Sequence, residues 1–133
     1  LMTVHAPAVH IPIGLLLVGS WLWLWGERRA RSDWMAAADL LLLIGWWGAL
    51  VATLTGVISV AVSFEAAERH LGWINAHALT GLVTVGIYWR VVLGRPKLAG
   101  RGRRTALWLG AGVLLVGGWL GGRLAHSIPW DAF

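Results

Sequence analysis

Four long apolar runs constrain this 133-residue chain more than any other feature of its sequence. The runs cover residues 7–26, 36–64, 73–93 and 105–126, and each is long enough to cross the hydrocarbon core of a bilayer as an α-helix. Because lipid offers no hydrogen bonds to a peptide backbone, segments that span it in this way are helical. The sequence therefore predicts one integral membrane domain over residues 1–133, an all-α transmembrane four-helix bundle.

The composition agrees with a membrane protein and excludes several functions. Hydrophobic residues make up 58% of the chain and charged residues 13%, about half the charged fraction of a soluble domain. The chain has no cysteine, which excludes disulfides, cysteine-ligated iron–sulfur clusters and covalent attachment of haem. The first run is not typical of a cleaved signal peptide, because Glu27, Arg28 and Arg29 follow it and no A-x-A site is present.

The arginine and lysine residues between the runs predict the orientation in the membrane. Most of them lie in residues 27–35 and 94–104, two loops that share one side of a four-span protein. The other side has only Arg69 between runs and Arg123 near the end of the chain. The positive-inside rule then places the two basic loops in the cytoplasm and both termini on the outer side of a bacterial inner membrane. The net charge of +5 thus indicates multi-pass topology, and no nucleic-acid partner is expected.

Two of the five histidines have matching surroundings on the outer side. His10 and His77 each lie a short way inside an apolar run, at similar depth, and each has a glycine four residues later, Gly14 and Gly81. An ionisable residue in a membrane is costly and requires a partner or a function. Two neutral imidazoles on different helices, with small residues leaving room for a flat macrocycle, predict a bis-histidine haem b.

Each histidine also has a simpler interpretation. An imidazole near a membrane interface can hydrogen-bond a neighbouring carbonyl or water and extend outward to the headgroups. His5 and His126 are weaker candidates for a second metal or haem site, and His70 precedes its run. No nucleophile–base pair, phosphate-binding loop or zinc-hydrolase motif is present, so a self-contained enzyme is not predicted.

Small residues and tryptophans indicate where other helices could pack. Gly48, Ala52 and Gly56 recur every four residues and predict a face that another helix approaches closely. Most of the 11 tryptophans lie near the ends of the runs, as in an aromatic belt at the membrane interfaces. Trp46 and Trp47 are deeper, and we expect them to contact the core, lipid, a pigment or a partner subunit. The predicted partners are therefore the bilayer and other membrane subunits.

The opening H-A-P-A-V-H-I-P-I-G-L, residues 5–15, resembles the H-P-x-x-V-H-F-P-I-G-L start of a family of small four-helix bacterial membrane proteins, the domain-of-unknown-function family numbered 2231. Residues 54–56, 77–80 and 118–122 resemble the family's L-T-G, H-A-x-x and S-G-W-L-G-G segments. The chain departs from the family at Ala6, which separates the first histidine from proline, and at residues 123–126, where the family has Y-R-H-G. The resemblance implies membrane electron transfer, because related domains occur joined to Rieske-type or other redox modules.

Three functions remain open from the sequence. The first is a b-type cytochrome in which His10 and His77 hold haem b near the outer face and exchange electrons with a quinone or an outer-face redox protein. The second is a non-catalytic accessory subunit that packs by its glycine and tryptophan faces into a respiratory or photosynthetic complex. The third is a small metal-handling or transport protein. Apart from Asp39 near the inner end of the second run, the runs lack the acidic or Met-rich ligands that would favour the third.

Overall fold

A computed structural model of the chain describes residues 9–62, 68–94 and 100–127. Its regular structure in these ranges is helical: α1 is His10–Arg28, α2 is Ser32–Val62, a 3₁₀ turn covers Glu68–His70, α3 is Leu71–Val92 and α4 is Arg101–Ser127. The predicted all-α class is confirmed. Two of the helices, α2 and α4, are long and apolar enough to cross a membrane.

The helices extend past the apolar runs at the polar ends of α2 and α4, because helix formation depends on backbone geometry and not on hydrophobicity alone. Ala30, two residues after the end of helix α1, has a left-handed backbone with φ 52°. The backbone N–H of Arg31 donates to the Gly26 carbonyl at 2.9 Å, which satisfies a carbonyl at the helix end and lets α2 begin at once. Before α4 the left-handed residue is Gly100, with φ 57°.

Helices α1 and α2 pack closely and antiparallel because glycine lies at their contacts. A Cβ at Gly45 would come within 2.9 Å of Leu16 Cγ, and one at Gly48 within 3.1 Å of Pro12 Cβ. Of the predicted small-residue pattern Gly48, Ala52 and Gly56, Gly48 is the member that contacts α1. Gly45 and Gly48 are three residues apart, and the absence of side chains at both positions allows the two backbones to approach here.

Helices α3 and α4 also pack closely because glycine lies at their contacts. A Cβ at Gly110 would come within 2.8 Å of the Tyr88 ring, and one at Gly117 within 2.9 Å of Thr80 Oγ1. Helix α3 also packs against α2, where the Trp46 Nε1 donates to the Val85 carbonyl at 3.1 Å. With α4 lying beside α1, the four antiparallel helices form a bundle.

One hydrogen bond joins the two diagonally opposed helices, α1 and α3. The Ser20 hydroxyl lies 2.8 Å from the Tyr88 hydroxyl and 2.7 Å from the Leu16 carbonyl, to which it donates. Tyr88 is therefore the donor to Ser20, because the single hydroxyl proton of Ser20 is already used. Both residues are buried, and the bond fixes the relative height of α1 and α3.

The main core lies toward one end of the bundle. We call the end that contains Arg28, Arg31, Arg101 and Arg103 the basic end, and the opposite end, with His10, His77 and His126, the histidine end. The buried core cluster occupies the middle and the basic end; its members are Leu16, Trp23, Ala38, Leu42, Trp46, Tyr88, Val91, Val92, Leu107 and Leu114.

The exterior of the bundle is apolar along all four helices. No charged residue occurs in stretches 11–26, 40–62, 71–89 and 105–122, and the described charges lie near the two ends. Large apolar side chains are exposed on every helix, including Ile11, Val18 and Trp21 on α1, Leu40, Ile44, Val51, Leu54 and Val57 on α2, Leu79, Leu82 and Trp89 on α3, and Trp108, Leu109, Leu115 and Trp119 on α4.

Candidate functional site at the histidine end

His77 is held against α4 by two contacts. Its Nδ1 lies 3.0 Å from the Gly117 carbonyl oxygen, and because a carbonyl only accepts, this nitrogen carries the proton. The ring packs on Gly121, where a Cβ would come within 2.9 Å of Cε1. The half-buried imidazole is thus fixed as the tautomer whose Nε2 has a lone pair to offer, the arrangement that orients histidine ligands of metals.

His10 is the first residue of α1 and its side chain is exposed. It lies ten residues before Ser20, and His77 lies eleven residues before Tyr88, on a helix that runs in the same direction. Ser20 and Tyr88 are hydrogen-bonded to each other. At the helical rise per residue, His10 lies roughly 15 Å along α1 from Ser20, and His77 lies roughly the same distance along α3 from Tyr88. The two histidines therefore lie at the same end of the bundle, and their matched depth in a membrane stays a prediction.

The glycines four residues after the two histidines, Gly14 and Gly81, lie in open or nearly open surroundings. A Cβ at Gly14 would meet no atom within 4 Å, whereas one at Gly81 would lie 3.7 Å from Thr53 Oγ1 of helix α2. The glycines that contact the His77 ring belong to α4, Gly117 and Gly121. The contact between this imidazole and α4 is a relation that the spacing within one helix does not reveal.

His70 and His126 belong to no group of three metal-binding side chains in the described part of the chain. His126 has its Nδ1 2.7 Å from the carbonyl of Gly122, one turn earlier in its own helix. His70 precedes α3, and its buried Nδ1 has no hydrogen-bond partner among the described residues. His5 lies outside the described residues. In the ranges 9–62, 68–94 and 100–127, no three His, Cys, Asp or Glu side chains are grouped as a metal site.

The side chains at the histidine end are of the type that binds the iron of haem b. Two imidazoles on different helices can supply two axial ligands, and His77 already has the Nδ1–H hydrogen bond that commonly supports a ligating histidine. Open space at this end is also present beside α1, because a Cβ at Gly14 would meet no atom within 4 Å.

A buried ion pair at the basic end was not predicted. Arg103 was expected in a loop, but α4 already begins at Arg101, and the Arg103 guanidinium forms a salt bridge with Asp39 of α2. The same guanidinium lies 4.7 Å from the Trp23 ring centroid on α1. Asp39 lies near the start of the apolar run 36–64. A carboxylate in an apolar run requires a partner, so its position in the sequence could have indicated that a basic side chain pairs with it.

A second, exposed ion pair lies in the turn between α1 and α2. Arg31 Nε and Nη2 donate to the two carboxylate oxygens of Asp33 at 2.9 and 2.6 Å. This hydrogen bonding lowers the pKa of the Asp33 carboxyl to about 2. Both side chains are exposed, so the pair contributes little to stability. Two other basic residues of the predicted loops, Arg95 and Lys97, lie outside the described residues.

Comparisons with known proteins identify no relative: no family model, no curated protein and no solved structure matches this chain.

Proposed function

We propose that this chain is a multi-pass protein of a bacterial inner membrane and that all four helices cross the bilayer. The support is the exterior of the bundle, where exposed large apolar side chains from every helix surround a zone without charge. In water such a continuous apolar surface would be far larger than monomeric proteins normally expose. In lipid the same surface is favourable, and only the two charged ends contact water.

The charges support one orientation of this bundle. Arg28, Arg29, Arg31 and Arg101 are exposed at the basic end, and the positive-inside rule favours the cytoplasm for that end. Both termini then lie outside. Single cysteines introduced at Arg29 and Arg101 should be shielded from an impermeant thiol reagent in intact cells, and one at Glu68 should be labelled. The reverse labelling pattern would overturn the orientation.

Within that membrane placement, we propose that the protein is an electron-transfer subunit in which His10 and His77 hold one haem b. The observation that carries this proposal is the hydrogen bond from His77 Nδ1 to the Gly117 carbonyl, which leaves Nε2 as the ligand atom. The resemblance of residues 5–15 to the family numbered 2231 agrees with this function. When bound, haem b supplies one-electron chemistry, and the protein residues hold and orient it near the outer face.

A visible absorption spectrum of the detergent-purified protein, oxidised and reduced, tests this function. We expect a Soret band and a sharp reduced band of low-spin bis-imidazole iron, with one iron per chain. His10→Ala or His77→Ala should remove this spectrum or convert it to high spin, and added imidazole should restore part of it to His77→Gly. His70→Ala is the control and should leave the spectrum nearly unchanged, because His70 precedes α3 and lies before the predicted apolar run.

Wild-type protein without a Soret band and without iron would overturn the haem assignment. The better account would then be the accessory subunit, which one observation favours independently. Gly112, Gly118 and Gly122 of α4 have open space where a Cβ would lie, so another membrane helix can approach α4 closely there. Under this function, Gly118→Leu should release a co-purifying membrane subunit, whereas Leu109→Ala, also at an exposed position, should not.

A further inference from the structure

An apolar groove runs between α1 and α4 in the half of the bundle near the basic end. Its volume is about 350 Å³. The groove is lined by Leu17, Trp21, Leu24 and Trp25 from α1 and by Trp108 from α4, and Arg28 lies at one end. From Leu17 to Arg28 the groove follows α1 for roughly 16 Å, a length suited to an extended acyl chain.

The walls of this groove are aromatic and open to the outside. Trp21 stacks on Trp25, with ring centroids 5.8 Å apart and an interplanar angle of 17°. Trp21 is 58% exposed and Trp108 on the facing helix is 60% exposed. Neither indole is needed to fill the protein core, so both present their apolar surface to whatever lies between the helices.

The charge at the end of the groove is not neutralised within the described part of the chain. Arg28 is exposed and forms no ion pair with a described carboxylate, whereas the neighbouring Glu27 binds Arg104 on α4 at 3.1 Å. The local carboxylate is thus already paired. An apolar groove that ends in an unneutralised guanidinium is complementary to an amphiphile with a long chain and an anionic head.

We propose that this groove binds one anionic phospholipid, with an acyl chain against Trp21, Leu24 and Trp108 and the phosphate group at Arg28. This inference rests on the proposed membrane placement but not on the haem. A neutral quinone would use the aromatic walls but not the arginine, so the charge favours the phospholipid. The cytoplasmic leaflet is rich in anionic lipid, and basic pockets between helices on that side are known to hold such headgroups.

Lipid analysis of the purified protein tests the proposal. Protein extracted from membranes in a mild detergent is examined by native mass spectrometry after exchange into equal amounts of phosphatidylglycerol and phosphatidylcholine with identical chains. Wild-type protein should retain phosphatidylglycerol in preference, and Arg28→Gln should reduce that preference about fivefold. Arg90→Gln is the matched control, because Arg90 is also an exposed arginine near this end but lies on α3, outside the groove.

Thermal stability gives a second measurement on the same variants. Added phosphatidylglycerol should raise the Tm of delipidated wild-type protein and of Arg90→Gln more than phosphatidylcholine does, and this difference should vanish in Arg28→Gln. Inorganic phosphate alone should have no effect, because it lacks the chain that the groove binds. Trp108→Ala should weaken retention of both lipids by removing one apolar wall.

Equal retention of the two lipids by wild-type protein, or equal losses in Arg28→Gln and Arg90→Gln, would overturn the proposal. Co-purification of a quinone that displaces phospholipid and is insensitive to Arg28→Gln would also overturn it. These results differ from the failures of the proposed function. A protein recovered in the soluble fraction would contradict the membrane placement, and a missing Soret band would contradict only the haem.

Discussion

The ion pair between Arg103 and Asp39 allows the sharpest test of the packing at the basic end. Asp39→Ala removes the partner of a guanidinium whose side chain is only 10% exposed. The guanidinium would then lie over the Trp23 ring without its counter-charge, and its Nε already has no hydrogen-bond partner among the described residues. Breaking a buried pair from one side costs 3–5 kcal/mol. The Asp39 side chain is 24% exposed, so we expect the low end, about 3 kcal/mol.

Two further variants separate charge from packing. Asp39→Asn keeps an oxygen that can accept from Arg103 and should cost less, about 1–2 kcal/mol. The double variant Asp39→Leu with Arg103→Met replaces the pair by apolar groups and should be near neutral, because the desolvation cost of both charges is then removed. The exposed pair of Arg31 and Asp33 is the matched control, and we expect no measurable change in Asp33→Asn.

Reversible unfolding in mixed micelles, followed by tryptophan fluorescence, measures these free energies. A double-mutant cycle with Asp39→Leu and Arg103→Met then isolates their coupling. If Asp39→Ala changed the free energy of unfolding by less than about 0.5 kcal/mol, the charge would be solvated and not buried, and the described contact of α1, α2 and α4 would be refuted.

Three further predictions concern local structure. Ala30→Gly should raise the free energy of unfolding by up to about 1 kcal/mol and Gly100→Ala should lower it by a similar amount, because each position has a positive φ; opposite signs in chemical denaturation would contradict this. Gly110→Val should lower stability by about 1–3 kcal/mol because its Cβ would come within 2.8 Å of a tyrosine ring, whereas Gly112→Val, in open space, should not; equal melting temperatures would refute the α3–α4 contact. The Asp33 carboxyl should titrate by NMR near its lowered pKa of about 2. The small contribution of the ion pair to stability is therefore present above about pH 4 and is lost as the pH falls toward 2. A normal carboxyl pKa for Asp33 would contradict the ion pair.

The amino-acid sequence by itself determined the helices of this protein. An uninterrupted apolar run long enough to cross a bilayer forms a helix whatever its neighbours are, because the helical hydrogen bonds are local. The concentration of arginine in two segments was also readable directly, since it depends only on position along the chain. The position of His10 and His77 at the same end of the bundle followed from counting residues, and the hydrogen bond between Ser20 and Tyr88 agrees with it.

Only the tertiary structure decided how each helix is rotated and which helix it contacts. The spacing of His77 and Gly81 predicted room beside the imidazole from its own helix, but it could not show that the ring contacts Gly117 and Gly121 of α4. From the sequence, Arg103 was predicted to be one of several basic residues in a loop. In the structure it is buried against Asp39, 64 residues away in the chain. The α1–α4 groove likewise depends on two helices at opposite ends of the sequence. Such contacts are non-local, and residue spacing within one helix fixes which side chains share a face but not what that face meets.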